Sequence, residues 1–444
     1  MAGIIFFKTR DLVQISKFYG GYLGLKLWLD QGKCHIYESG NLLLGFCEAE
    51  QAETNGTITF YYPQRSDVDA AYSRYSGIAT SPARLNPAFG IYHFWAKDPE
   101  GRDLEFQHFL SPAAQSDDPF KILNPGEGKP LILLTMLLPE LAMEALKSDF
   151  TVKANTLDRA LTRDELIGGI SEAEALLCLL GDSVDAQVMD AAPALKVISN
   201  YAVGYNNIDL QAARNRNIAV CNTPGVLTQS TADLAWALIM ACARRVVPSD
   251  RFTREGHFEG WKPLLFLGKD VHERTLGIIG MGRIGQAVAA RAGGFNMKVL
   301  YTSHTPKDLL FAASRVTLEE LLRESDIISL HLPLTEDTKQ LLGAKELDMM
   351  KPGAILINTA RGAIVDEAAL ICRLQSGRIF AAGFDVYAQE PHIPQELKDL
   401  DNVVLLPHIG SASIETRTQM GLLAAANAAA IIRGEKAPAR VDTL

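Results

Sequence analysis

From residue 131 onward the chain alternates short apolar runs with segments of helical period. Residues 131–136, 174–180, 196–200 and 218–221 read as buried strands, and 138–147, 163–168, 185–191 and 209–215 fit helices between them. The alternation resumes with strands at 276–279, 298–302, 327–330, 354–358, 381–385 and 403–406. Such alternation dictates parallel sheets with helices on their faces. Ser230-Thr231-Ala232-Asp233 opens a strongly apolar helix running to about 247, with Asp233 where a capping box would place Glu or Gln. A last, alanine-rich helix is expected at about 414–433, stopped by Gly434.

The first 112 residues follow a different rhythm, in two similar halves. A strand at 3–9, a helix at 11–23 and apolar runs at 25–29, 34–37 and 42–47 make the first. The second repeats the order with a strand at 57–62, a helix at 66–75 and strands ending in 91–97 and 103–109, the last two joined by a turn at Asp98-Pro99-Glu100-Gly101. This predicts an α+β domain of βαβββ repeats over 1–112. A stretch rich in Pro, Gly, Ser and charge follows, and 113–129 is expected to be a linker.

Composition narrows the picture. A chain of 444 residues has room for two to four domains, and 48% hydrophobic with 21% charged residues is globular. The net charge of −9 argues against a nucleic-acid partner. Cys34, Cys47, Cys178, Cys221, Cys242 and Cys372 form no C-x-x-C pair, so they read as buried small hydrophobes in a reducing compartment. The apolar start is too short for a signal peptide or a membrane span, and a cytoplasmic protein is expected.

Chemistry first becomes legible at 276–285. After a short strand, Gly280, Gly282 and Gly285 take the G-x-G-x-x-G spacing, with Arg283 and Ile284 between them and a helical run beyond. The first glycine permits a tight turn, the second lets backbone approach a pyrophosphate, and the third lets the helix pack on the strand. The helix N-terminus then faces the phosphates. Six parallel strands with this first turn read as a Rossmann sheet that binds a dinucleotide. An acid at the end of its second strand would select NAD; here that position reads Thr302-Ser303-His304-Thr305-Pro306-Lys307. Ser303 and His304 would accept a 2′-phosphate, so NADP is favoured over NAD.

Several motifs in fixed order carry a family resemblance. Asn200–Asp209 (NYAVGYNNID), 222–228 (NTPGVLT), 357–367 (INTARGAIVDE), 383–387 (GFDVY) before Glu390-Pro391, and 407–412 (PHIGSA) resemble the D-isomer-specific 2-hydroxyacid dehydrogenases. Residues 176–185 and 260–268 point to the glyoxylate/hydroxypyruvate reductases within them. The resemblance implies a flavodoxin-like substrate domain from 130–229 and 414–444, and a nucleotide-binding domain at 230–413. It implies Arg361, Glu390 and His408 as the catalytic trio, and Thr359, Ala360 and Asp385 beside the cofactor. Leu180, Val203, Gly204 and Arg361 would bind substrate, and Asp385 would support the Glu390 loop. His331 matches the family too and is expected to be structural. A homodimer is implied as well: relatives place an aromatic of the 260–268 region in the partner's active site, where Trp261 is kept but Leu265 replaces a common second Trp. The expected reaction is reduction of a small 2-keto acid with NAD(P)H. The alternatives are a dehydrogenase of another D-2-hydroxy acid, or a nucleotide-sensing binding protein on the same fold.

The βαβββ pair resembles the vicinal oxygen chelate (glyoxalase and bleomycin-resistance) superfamily, most specifically at 98–106. That resemblance implies metal ligands on the first and last strands of each half. Glu105 stands at one such position, but Ile4 and Thr57 stand at two others and Cys47 near the fourth. This donor set is too poor for a hard cation, and no metal is expected.

Overall fold

The computed structural model describes residues 3–39, 42–87, 89–110, 118–125 and 128–441. They fall into two compact units, Met1–Asp118 and Pro119–Leu444. Of the expected linker, 113–117 and 126–127 lie outside the described residues.

Among the described residues the first unit has eight strands: β1 (Gly3–Thr9), β2 (Lys26–Asp30), β3 (Cys34–Ser39), β4 (Leu42–Glu48), β5 (Thr57–Tyr61), β6 (Arg84–Asn86), β7 (Ile91–Lys97) and β8 (Asp103–Phe109). They form two four-stranded sheets, β1-β4-β3-β2 and β5-β8-β7-β6. In each half the first strand runs parallel to the last. Helical segments 12–22 and 65–75 pack into one core with Tyr37, Phe46, Phe94 and Phe106. The turn at 98–101 is tied by the Asp98 carboxylate, which accepts from the Glu100 and Arg102 amides, both at 2.9 Å. Arg102 is buried and spans the halves: Nη1 meets Asp98 Oδ2 at 2.7 Å, and Nε donates to the Glu53 carbonyl at 2.7 Å.

Two expectations about cysteine fail here. Cys34 and Cys47 face each other across antiparallel β3 and β4 and form a disulfide, which spacing alone does not reveal. Cys372 is exposed, leaving Cys178, Cys221 and Cys242 as the buried thiols.

The second unit contains two sheets. The first is β14-β13-β12-β10-β11-β9, built from β9 (Phe120–Ile122), β10 (Leu131–Leu134), β11 (Thr151–Asn155), β12 (Ala175–Cys178), β13 (Val197–Asn200) and β14 (Ala219–Cys221). All pairs are parallel except β9 with β11. The linker reading therefore stops short at 120, where Phe120 pairs with Asn155 and its ring covers Gly169 so closely that a Cβ there would overlap it. β11 escapes the sequence reading because Lys153 interrupts its apolar pattern. Its ammonium donates to the Gly169 carbonyl at 2.8 Å over the Phe120 ring.

The second sheet has seven parallel strands rather than six, in the order β17-β16-β15-β18-β19-β20-β21. They are β15 (Thr275–Ile279), β16 (Lys298–Thr302), β17 (Ser314–Arg315), β18 (Ile327–Leu330), β19 (Ala354–Asn358), β20 (Ile379–Phe384) and β21 (Val403–Leu405). The added strand, β17, is two residues long. Strand order reverses between β15 and β18, and in such sheets ligands lie beyond the carboxyl ends at that point.

The helix after the first sheet spans Thr228–Ala243 and packs on the second sheet. It starts earlier than the capping-box reading, and Ser230 makes no cap: its hydroxyl donates to the Gly410 carbonyl at 3.1 Å. The last helix, Ile414–Ile432, returns to the core of the first sheet with Met420, Ala424 and Ala428. Its small residues allow close approach, since a Cβ on Gly421 would overlap that of Ala142.

Candidate active site

The glycine turn joins β15 to the helix Arg283–Arg291. Gly280 has φ +97° and lies against the His331 carbonyl, leaving no room for a side chain. Gly282 caps the helix and faces open space. A Cβ at Gly285 would overlap the Gly280 carbonyl oxygen, so helix and turn meet backbone to backbone.

A cavity of about 720 Å³ opens beside this turn. Gly282, Arg283, Ile284, Thr359, Ala360, Arg361, Asp385, Glu390 and His408 line it from one side of the unit, and Leu180, Val203 and Gly204 from the other. Gly280 and Gly285 act beneath it by packing. Ser303 and His304 do not line it; they follow β16, with Ser303 Oγ donating to the Thr305 carbonyl at 2.6 Å. Arg315, absent from the sequence reading, donates there from Nη2 to the carbonyls of Ser303 and His304 at 2.9 and 3.0 Å.

Within the cavity, His408 Nδ1 and Glu390 Oε2 are 2.8 Å apart. Glu390 Oε1 accepts from the Tyr387 amide at 3.0 Å. Burial works to raise the Glu390 carboxyl, but the His408 bond, the Tyr387 amide and the charge of Arg361 hold it below its ordinary value. His408 has φ +56°, a left-handed conformation that a non-glycine residue keeps only when its surroundings fix it. Asp385 provides that fixing: its carboxylate accepts from the Ile409 and Gly410 amides, each at 2.7 Å. Burial raises the Asp385 carboxyl despite these bonds. Asp385 thus supports the His408 loop rather than the Glu390 loop, because its strand, β20, ends beside residues 409–410.

Arg361 follows β19. Burial lowers its guanidinium, opposed by the charge of Glu390. Asn358 shapes the turn between them, accepting from the Ala360 amide at 3.0 Å and donating to the Arg361 carbonyl at 2.9 Å. Across the cavity, Asn222 holds the Val203 carbonyl at 2.8 Å and Asn200 the Gly204 carbonyl at 2.7 Å. The Val203 and Gly204 amides find no acceptor among the described residues. Gly204 lies directly against the half-buried Arg361 guanidinium, and unpaired N–H groups beside a guanidinium are chemically suited to a carboxylate. Asn200, Asn222 and Asn358 lie inside the sequence motifs, but their roles depend on loop closure, which spacing does not show. His331 bonds Ser329 Oγ at 2.8 Å, and burial pushes its imidazole down to about 3, so it is neutral.

In the first unit, Glu105 accepts from Thr59 Oγ1 at 3.2 Å and lies 2.5 Å from His93 Nδ1. Cys47 is taken by its disulfide. No group of three or more His, Cys, Asp or Glu side chains placed to hold a metal occurs among the described residues. Among them, too, no helix is long and apolar enough to cross a membrane.

Residues 236–410 match the family model for the D-isomer specific 2-hydroxyacid dehydrogenase NAD binding domain. A glyoxylate reductase of Thermococcus litoralis is 48% identical over 321 residues, 71% of this chain and 97% of the relative. A glyoxylate reductase of Pyrococcus horikoshii is 47% identical over 71% and 96%. Among solved structures, a Thermus thermophilus protein aligns with a TM-score of 0.68 and 46% identity, over 70% of this chain and 99% of that one. An NADPH-dependent glyoxylate/hydroxypyruvate reductase of Sinorhizobium meliloti, solved with NADP and malonate, aligns with a TM-score of 0.63 and 32% identity, over 70% and 97%. The residues present fit an NAD(P) cofactor: Gly282 is open to a pyrophosphate at a helix N-terminus, and Thr359 Oγ1 is buried without a hydrogen-bond partner among the described residues. With these matches spanning nearly the whole length of its relatives, the chain belongs to the D-isomer specific 2-hydroxyacid dehydrogenase family.

Proposed function

We propose that this protein reduces a small 2-keto acid, glyoxylate or hydroxypyruvate first, to the D-2-hydroxy acid. The observation that carries the reading is the His408–Glu390 pair in one cavity with Arg361 and the free amides of 203–204. NAD(P)H, when bound, supplies the hydride. Arg361 and the Val203 and Gly204 amides hold the substrate carboxylate, and the guanidinium also polarises the ketone. Because Glu390 occupies Nδ1 of His408, Nε2 is the nitrogen left to give its proton to the carbonyl oxygen. Glu390 orients the ring through its bond to Nδ1. Asp385 and Asn358 are positioning residues.

The NADP preference is supported by the lack of an acid after β16 and by Arg315, which has no carboxylate within 4 Å among the described residues. A homodimer is supported by Trp261 and Leu264, which are 84% and 77% exposed on one segment. The linked βαβββ halves of the first unit support its reading as a vicinal oxygen chelate domain. The substrate domain comprises 130–229 with 414–444, extended by β9.

The test is steady-state turnover with a panel of 2-keto acids, run with NADH and NADPH in parallel. Turnover of glyoxylate or hydroxypyruvate is expected. Nucleotide binding without turnover of any keto acid would instead favour the nucleotide-sensing alternative.

A further inference from the structure

Arg417 is a cation in an unusual place. It lies in the first turn of the helix Ile414–Ile432, its amide donating to the Ser413 carbonyl at 2.9 Å. The helix dipole disfavours a positive side chain there, so helix stability does not account for it. No carboxylate comes within 4 Å of its guanidinium among the described residues. Instead it lies 5.9 Å over the Tyr201 ring. That ring is buried, and its hydroxyl donates to the Arg417 carbonyl at 2.5 Å, so backbone and side chain are held on one support. Arg417 lines the same cavity as Arg361, His408 and Gly204. An unpaired guanidinium on a cavity wall seeks an oxygen ligand. Arg361 already lies against Gly204, and in the proposed reading it satisfies the substrate's carboxylate with the 203–204 amides. Arg417 is therefore available for the other end of the molecule.

We propose that Arg417 is a specificity-determining residue that selects 2-keto acids whose third carbon carries an oxygen, as a hydroxyl or a carboxylate, by donating to that oxygen. This rests on the keto-acid reading of the cavity. Glyoxylate has no third carbon and gains nothing from this contact, whereas hydroxypyruvate does.

The test compares kcat/KM for hydroxypyruvate and glyoxylate in the full chain, its Arg417→Gln variant and its Arg417→Lys variant, with thermal melts of each. In Arg417→Gln, hydroxypyruvate should lose at least about tenfold more than glyoxylate, the scale of one hydrogen bond from a charged group. Arg417→Lys should recover part of that difference. A second measurement needs no variant. In the NADP-loaded protein, tartronate, with its second carboxylate, should bind at least about tenfold more tightly than glycolate, read by quenching of protein fluorescence. Equal losses for the two keto acids, or equal binding of tartronate and glycolate, would overturn the role of Arg417. If the wild type reduces neither keto acid, the keto-acid reading has failed and this role falls with it.

Discussion

Gly204 and Arg361 meet so closely across the cavity that a Cβ on Gly204 would overlap the guanidinium Nη2. The two come from strand ends of different sheets, after β13 and β19, so their contact registers one half of the active site against the other. Gly204→Ala must push the guanidinium away from its position against residue 204. The expected loss in kcat/KM is about 10²-fold, the scale of a misplacement near 1 Å. Nucleotide affinity should change little, because the glycine turn is untouched. Titration of NADPH beside steady-state kinetics checks both; an unchanged kcat/KM would show that Arg361 does not need this position.

Asp385 supports His408 through two amide bonds, and asparagine can replace only one of its two accepting oxygens. Asp385→Asn relieves the cost of a buried charge but frees the loop that keeps His408 at φ +56°. The expected outcome is a kcat lower by about 10–10², with a small change in Tm. A large fall in Tm with intact kcat would make Asp385 a stability residue instead.

Glu390 gives a pH dependence of defined sign. Its carboxyl is depressed in the folded protein, so the stability it adds is fully present above its ordinary value near 4.5 and lost as pH falls through the lower folded value. The group is partly exposed, so the effect should be under about 1 kcal/mol, or at most about 2–4 °C in Tm. Melts of wild type and Glu390→Gln should differ above pH 5 and converge near pH 3. A gap that widens toward acid would reverse the assignment.

Where the second unit begins can be tested by truncation. A 119–444 fragment keeps β9, whereas 125–444 loses that strand and the Phe120 ring over Gly169. Both retain every residue assigned to cofactor or catalysis. The shorter fragment should be less stable by about 3–5 kcal/mol, the cost of removing a well-packed Phe. Denaturant melts compare them, and equal midpoints would restore the reading of 113–129 as pure linker.

Much of this site is readable in sequence, because glycine spacing, strand–helix alternation and motif order are local signals. Gly280 and Gly285 each occupy a position with its own steric reason, and Gly282 leaves open space where a pyrophosphate would approach. What escapes depends on contacts distant in sequence. Asp385 accepts from the amides of residues 409–410, and Ser230 reaches Gly410; neither pairing has a local signature. β11 is hidden by Lys153, whose ammonium leaves the sheet for the Gly169 carbonyl. Cys34 and Cys47 are thirteen residues apart, and only the register of β3 on β4 brings them face to face.

Cofactor choice can be turned by one residue. Ser303→Asp places a carboxylate after β16, where it would accept from a ribose 2′-hydroxyl and repel a 2′-phosphate beside Arg315. The kcat/KM ratio of NADPH to NADH should fall by about tenfold or more, about 1.4 kcal/mol of discrimination. A wild type that already prefers NADH strongly would contradict the reading of 302–307.

The most direct test of the account is the kcat of His408→Ala with glyoxylate or hydroxypyruvate under saturating NADPH. If His408 is the proton donor, kcat falls about 10²–10⁴-fold while NADPH affinity is largely kept. A mutant with near-normal kcat would mean that the proton comes from elsewhere, and that the His408–Glu390 pair is not the acid of this reaction.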